Sequence, residues 1–367
     1  EKVKKDGVQE LQRLYVKFHQ EEAERPELTD EARKWFVKIE QGDKEASELF
    51  EMFKQITLAD VKEIYERLNV KFDSWNGESF YNDKMREPLD MLRGKGLIVE
   101  SQGAQIVDLK DYDMPPCLLV KADGSSLYAT RDIAAAIWRK KEYDFDKCLY
   151  VVAYQQNLHF KQFFKVLELA GLSWAKDLVH VAYGMVSLED GAMSTRKGNV
   201  VLLRDVLNKA VEKSLETIVA KNPNLENREK VAEQVGVGAV LFSALENGKI
   251  KDITFTFDRV LNFDGETAPY LQYTCARCNS IIEKAGMSRF AKIAHDMRAL
   301  DNGETLRLCK LLAAFPQAVK DAAYKYEPSI LSGLLIDRAQ AFNRFYIACR
   351  VLSDNLSEQN ARLSVVE

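Results

Sequence analysis

Three polar clusters in this chain have residue types and spacings that can do chemistry. In the first, Asp123-Gly124 makes a tight turn and Tyr128 and Asp132 follow, four residues apart, so that on a helix they share one face. A carboxylate there can cap amides and complement a helix dipole. It can equally accept a planar guanidinium through both oxygens. The second cluster, Gln155-Gln156-Asn157 with His159, follows the apolar run "CLYVVA". Amides at a strand end are hydrogen-bonding groups suited to a ligand rather than to a core, whereas a lone histidine is more often structural. The third, "DGAMSTRKGN" at 190–199, joins the hydroxyls of Ser194 and Thr195 to the adjacent cations Arg196 and Lys197, between Gly191 and Gly198. Both a solvated hairpin tip and a clamp for phosphates fit that composition. Neither a Walker loop nor a G-x-G-x-x-G is present. Together the three clusters point to a pocket for a cationic small molecule beside a phosphate.

The elements around them explain why they would converge. Residues 118–121, 148–153 and 179–183 read as buried strands, alternating with helical segments at 130–141 and 160–170. That alternation predicts a parallel sheet covered on both faces, with ligands beyond the carboxyl ends of its strands. Upstream, 10–40 and 44–68 read as amphipathic helical stretches, punctuated at Pro26 and Gly42. A short strand and turn are expected near Trp75, a helix over 81–93 kinked near Pro88, and a hairpin around Gly103. Beyond Arg204 the pattern is a helical bundle, with helices expected at 205–221, 228–248, 268–286, 304–326 and 328–354.

Composition narrows the classes. The 367 residues leave room for two or three domains, and the net charge of −4 gives no bulk attraction for nucleic acid, so an RNA partner would need a local basic surface. Six scattered cysteines predict a reducing, cytoplasmic setting rather than a disulfide scaffold. Cys275 and Cys278 could open a zinc site, but they lie mid-helix with no second pair nearby, and two buried structural thiols with no zinc are expected. No apolar run approaches the roughly 18–20 residues of a membrane span.

The segments "SSLYATRDIAAA", "YVVAYQQNLHFKQFF" and "GMVSLEDGAMSTRKGNVV" resemble arginyl-tRNA synthetases of class I, as do "GESFY", "VGVGAVLFSAL", "TAPYLQYTCAR" and "AFNRFYIACRVL". The resemblance runs through nearly the whole chain, in the family's order. It implies the second half of a Rossmann-like catalytic fold followed by an all-α anticodon-binding domain. The divisions expected are a helical connective segment over 1–70, the catalytic half over 71–220, with its signature loop at 191–199, and the anticodon-binding bundle over 221–367. It implies that Tyr128, Asp132 and Gln156 read the substrate arginine. His159, Met185 and Glu78 would lie on the ATP side, His159 near the adenosine or ribose. The loop of Met193, Ser194, Thr195, Arg196, Lys197 and Gly198 would close over the leaving pyrophosphate. Tyr270, Tyr273, Arg277, Asn343, Arg344 and Tyr346 would contact the tRNA anticodon. L-arginine, ATP with Mg2+ and tRNA(Arg) are the implied partners, and a monomer is expected.

Two departures qualify the carry-over. The family's loop is usually Lys-Met-Ser-Lys-Ser, but Ala192 and Thr195 stand where its lysines would be, so Arg196 and Lys197, or a lysine outside this chain, would take the phosphate contact. The family's His-Ile-Gly-His signature is absent, and the chain begins with Glu rather than Met. The expectation is a piece of a longer enzyme, lacking the N-terminal part with that signature and the extreme C-terminus of the anticodon-binding domain, and inactive by itself. The rival expectation is a synthetase-like protein that holds tRNA or arginine without catalysis.

Overall fold

The computed structural model of the chain describes residues 1–122, 128–188, 202–286 and 297–367. Three helices come first: α1 (Lys2–Glu24), α2 (Glu27–Glu40) and α3 (Lys44–Arg67). α1 kinks at Gly7, whose φ of 61° is costly for any residue with a Cβ. Pro26 separates α1 from α2, as its fixed φ and missing N–H require.

A 3-10 turn over Glu78–Lys84 leads into α4 (Arg86–Gly94), and no strand precedes it near Trp75. The kink expected at Pro88 is absent. Pro88 lies in the first turn of α4, where an N–H would have no intrahelical acceptor anyway, so the break falls before the helix. Strands β1 (Ile98–Ser101) and β2 (Ala104–Val107) form the expected hairpin. Gln102 and Gly103 both take positive φ, which matches the turn to the strands' twist.

β3 (Cys117–Val120) departs from expectation: it pairs antiparallel with β2 instead of joining a parallel sheet. The short connection over Asp108–Pro116 allows only an antiparallel pairing with β2, and among the described residues β3 pairs with neither β4 nor β5. After α5 (Tyr128–Tyr143), β4 (Cys148–Ala153) and β5 (Leu178–Tyr183) pair in parallel across α6 (Asn157–Leu169), from Cys148 opposite Leu178 to Ala153 opposite Tyr183. This pair is covered on one face. Tyr150 packs against Phe160 and Phe163 of α6, while Leu149 and Val151 on the other face are exposed, Val151 by 64%.

The remaining elements are β6 (Val186–Leu188), α7 (Leu203–Lys221), α8 (Arg228–Leu245), β7 (Ile253–Phe255), α9 (Phe257–Val260), α10 (Ala268–Lys284), α11 (Gly303–Ala313), α12 (Phe315–Lys325), α13 (Ser329–Ala348) and α14 (Leu356–Val366). β6 and β7 pair in parallel. The helix expected over 304–326 is split by Pro316, in the first turn of α12. The helix expected over 328–354 stops at Ala348, and α14 follows behind an Asn355 cap that accepts from the amides of Ser357 and Glu358.

The chain forms two compact units. One contains Gln20–Thr57 and Val70–Met185; the other contains Glu1–His19, Leu58–Asn69 and Val186–Glu367. The first has its core between the β1–β3 sheet, α5 and α6, around Leu92, Leu119, Ile133, Phe163 and Leu167. The second has a core around Ile281, Leu308, Phe342, Phe345 and Leu363. Within it the end of α3 is tied by charge: Arg204 of α7 bonds Asp60 and Glu63, and Arg67 forks onto Glu233 of α8 and reaches Asn208. α7 and α8 approach so closely at Gly236 that a Cβ there would lie 2.7 Å from the backbone nitrogen of Val211.

Candidate active site

The opening two turns of α5 and the first turn of α6 carry most of the groups singled out in the sequence. α5 is fixed to the end of β3 by Thr130, whose buried hydroxyl donates to the carbonyl of Leu119 at 2.6 Å. Beside it Arg131 is buried. Its Nη1 donates to Glu78 at 3.1 Å and its Nε to Asn82 at 3.2 Å. Glu78 therefore stands against the opening of α5 through this ion pair. Arg131 was not foreseen; its position directly before Asp132 in "TRDI" was the available signal.

The Asp132 carboxylate meets His159 across the two helices, Oδ2 to Nε2 at 2.6 Å. An ionised carboxylate only accepts, so the ring nitrogen donates. Asp132 and His159 are partly exposed, by 34% and 21% of their side chains. The His159 ring rests against Phe160 and Phe163 at centroid distances of 5.4 and 5.3 Å. Tyr128, one turn before Asp132, is 67% exposed, and Gln156, preceding α6, is also exposed. Two hydrogen-bonding side chains thus flank the bridged pair. Met185 follows β5 and is exposed as well. Asp123, Gly124 and the loop residues Met193, Ser194, Thr195, Arg196, Lys197 and Gly198 lie outside the described residues.

Behind this surface the frame is aromatic. His180 of β5 stacks on Phe160 at 4.1 Å, and its Nε2 bonds the carbonyl of Val152 at 2.9 Å, joining β4, β5 and α6. Burial pushes the phenol of Tyr150 well above its ordinary range.

In the other unit, α10 and α13 present a groove of about 750 Å³. Arg277 organises it. Its guanidinium lies 4.8 Å from the Tyr273 ring and 5.2 Å from the Tyr346 ring. It donates to Asn343 Oδ1 at 2.7 Å and to the Tyr273 hydroxyl at 3.2 Å, and Asn343 in turn donates to the Tyr270 hydroxyl at 2.8 Å. Five of the six residues expected here are thus joined; Arg344 is exposed and takes no part in this network. Ser280, Lys284, Ile347 and Arg350 also line the groove and were missed. Residues 273, 277, 280 and 284 recur at helical spacing, which would have shown Ser280 and Lys284. Cys275, expected buried, is exposed because it points off the packed face of α10. Burial pushes the half-buried Cys278 thiol up to about 11.

The family model described as tRNA synthetases class I (R), catalytic domain, matches residues 1–257. The chain belongs to the class I arginyl-tRNA synthetase family. A second model, the DALR anticodon binding domain, matches 271–367. Arginine–tRNA ligase from Clostridioides difficile is 51% identical over 367 residues, and its counterpart from Enterococcus faecalis is 48% identical over 366. In each case the match covers all of this chain but 64% of the relative, so the chain spans less than two thirds of those arginyl-tRNA synthetases. The solved arginyl-tRNA synthetase of Thermus thermophilus superposes with a TM-score of 0.82 at 26% identity, over 96% of this chain and 66% of that one. The enzyme from Plasmodium falciparum, at 20% identity, shares the fold with a TM-score of 0.77 over 93% of this chain and 58% of its own.

Proposed function

We propose that this chain serves the ATP-dependent activation of L-arginine and its transfer to tRNA(Arg), as part of an arginine–tRNA ligase. The observation that carries this reading is Asp132. Its carboxylate is bonded to His159 through one oxygen only, among the described residues, at a helix opening flanked by Tyr128 and Gln156. A fixed carboxylate with an open oxygen suits a guanidinium. Lysine would keep the charge but lose the planar array of donors, and a neutral side chain would leave the open oxygen of the carboxylate without a partner.

In this reading Asp132 takes the guanidinium, and Tyr128 and Gln156 orient the rest of the amino acid. The substrate carboxylate then attacks the α-phosphate of ATP, giving arginyl-adenylate and pyrophosphate, and the terminal ribose hydroxyl of tRNA takes the arginyl group. Such chemistry depends on positioning and charge neutralisation. Glu78 and Met185 belong on the nucleotide side, and Arg196 and Lys197 supply charge for the pyrophosphate. Mg2+ accompanies ATP; among the described residues no group of three or more His, Cys, Asp or Glu is placed to hold a metal ion.

The Arg277 groove, lined by Tyr273 and Tyr346, and the hydrogen-bonded Asn343 and Tyr270 beside it support anticodon contact by these residues, with Arg344 on the neighbouring surface. A cation held between two tyrosine rings suits unstacked bases. Divisions near residues 70 and 220, a cytoplasmic location and a monomeric state belong to the same reading. Among the described residues no helix is long and apolar enough to cross a membrane.

The test is ATP–pyrophosphate exchange by the complete protein against the standard amino acids, with and without tRNA(Arg). Exchange with arginine alone is expected, and exchange with another amino acid or with none would refute the reading. Asp132→Ala should raise the KM for arginine about 10- to 150-fold, the worth of a hydrogen bond to a charged group.

A further inference from the structure

We propose that His159 is a positioning residue for the arginine-reading carboxylate, rather than a nucleotide contact. The inference rests on the reading of Asp132 as the guanidinium partner. Three observations carry it. The 2.6 Å bond consumes Nε2 of His159, so one imidazole nitrogen is already committed to Asp132. The ring is wedged against Phe160 and Phe163, which limits the rotations open to it. Asp132 lies one turn into α5 and His159 in the first turn of α6, so the bond fixes the carboxylate relative to Gln156, which precedes α6, as well as to Tyr128 on α5.

An isolated aspartate on a helix surface samples several rotamers, and a ligand that needs one of them must stop that motion. The Nε2–H of His159 removes this cost beforehand. It occupies Oδ2 and leaves Oδ1 for the incoming guanidinium. It also supplies a donor that keeps the carboxylate partnered when no arginine is bound. His159 therefore acts on arginine through Asp132, and its loss should be felt in arginine binding and not in ATP binding.

The experiment compares wild type, His159→Phe, His159→Gln and Asp132→Ala in the complete protein. Phenylalanine fills the ring space without the donor, and glutamine restores an N–H. KM values for arginine and for ATP are read separately by pyrophosphate exchange, and arginine affinity is read by calorimetry. His159→Phe should raise the arginine KM about 10-fold, the weight of one lost bond to a charged group, with the ATP KM unchanged. His159→Gln should recover most of that loss. A rise in the ATP KM with arginine unaffected would overturn the proposal, and so would a silent His159→Phe beside a damaging Asp132→Ala. An Asp132→Ala variant with normal arginine affinity would instead sink the reading of Asp132 itself. Should His159→Phe fail to fold, the 15N signal of Nε2 in the wild type decides: it should shift on adding arginine and not on adding ATP alone, and the reverse pattern refutes the assignment.

Discussion

Replacing Gly236 by alanine sets two effects of known size against each other. Alanine in a helix interior is favoured over glycine by about 0.5–1 kcal/mol, because the glycine chain loses more freedom on folding. At Gly236 that gain meets an obstruction. The new methyl would lie 2.7 Å from the Val211 nitrogen and 2.8 Å from the Ala210 carbonyl carbon and the Val211 Cα, where ordinary contacts begin at 3.4 Å. All three are backbone atoms of α7, so no side-chain rotation relieves the contact and the helices must separate. Overfilling a packed seam costs about 1–3 kcal/mol, and a backbone obstacle belongs at the upper end. The net expectation is a loss of about 1–2 kcal/mol. Gly333 is the internal control: it lies within α13 of the same compact unit, with nothing within 4 Å of its added Cβ. Gly333→Ala should stabilise by about 0.5–1 kcal/mol. Urea denaturation followed by far-ultraviolet circular dichroism reads both. The two variants should move the midpoint in opposite directions. A Gly236→Ala protein as stable as wild type, or shifted the same way as Gly333→Ala, would refute the reasoning.

Two further outcomes follow from the geometry. Arg277→Met keeps the length of the side chain but removes the cation shared by Tyr273 and Tyr346; tRNA(Arg) affinity, measured by filter binding, should fall about 10-fold while the arginine KM stays put. Glu10 is held by two 2.7 Å bonds from Arg13, with Lys2 nearby, and these lower its carboxyl to about 2. A depressed carboxylate contributes stability above the unfolded value of about 4.3 and loses it as pH falls through the folded one. Glu10→Gln should therefore lower the melting midpoint at pH 7, and the gap from wild type should narrow as pH drops below about 4.3 toward 2; a gap independent of pH would exclude the ionic origin.

The helices and strands nearest the candidate site were the most legible in the sequence. α5, β4, α6 and β5 fall close to where periodicity put them, because each is a sustained apolar pattern bounded by turn residues. Pairing was not legible. β3 looks as suited to a parallel neighbour as β4 does, and nothing in its own pattern tells that it pairs antiparallel with β2 instead. β7 escaped notice because three residues are too few for a periodic signal, and Pro316 was passed over inside a longer helical pattern. At the site, Tyr128 and Asp132 could be paired from spacing alone. The bond from Asp132 to His159 joins residues 27 apart in sequence, and Arg131 gains its role from Glu78 at a separation of 53. Such partners depend on how helices pack, which local patterning does not encode.

The charged tie at the end of α3 differs in kind from the seam between α7 and α8. Arg204 with Asp60 and Glu63, and Arg67 with Glu233, are partly solvated pairs, so dissolved ions compete with them. The contact at Gly236 is backbone against helix, with no charge for ions to screen. Rising ionic strength therefore loosens the end of α3 while leaving the helix pair beneath it intact. The same salt weakens attraction to a polyanionic RNA. A salt jump would thus act on α3 and, in the proposed function, on tRNA affinity together.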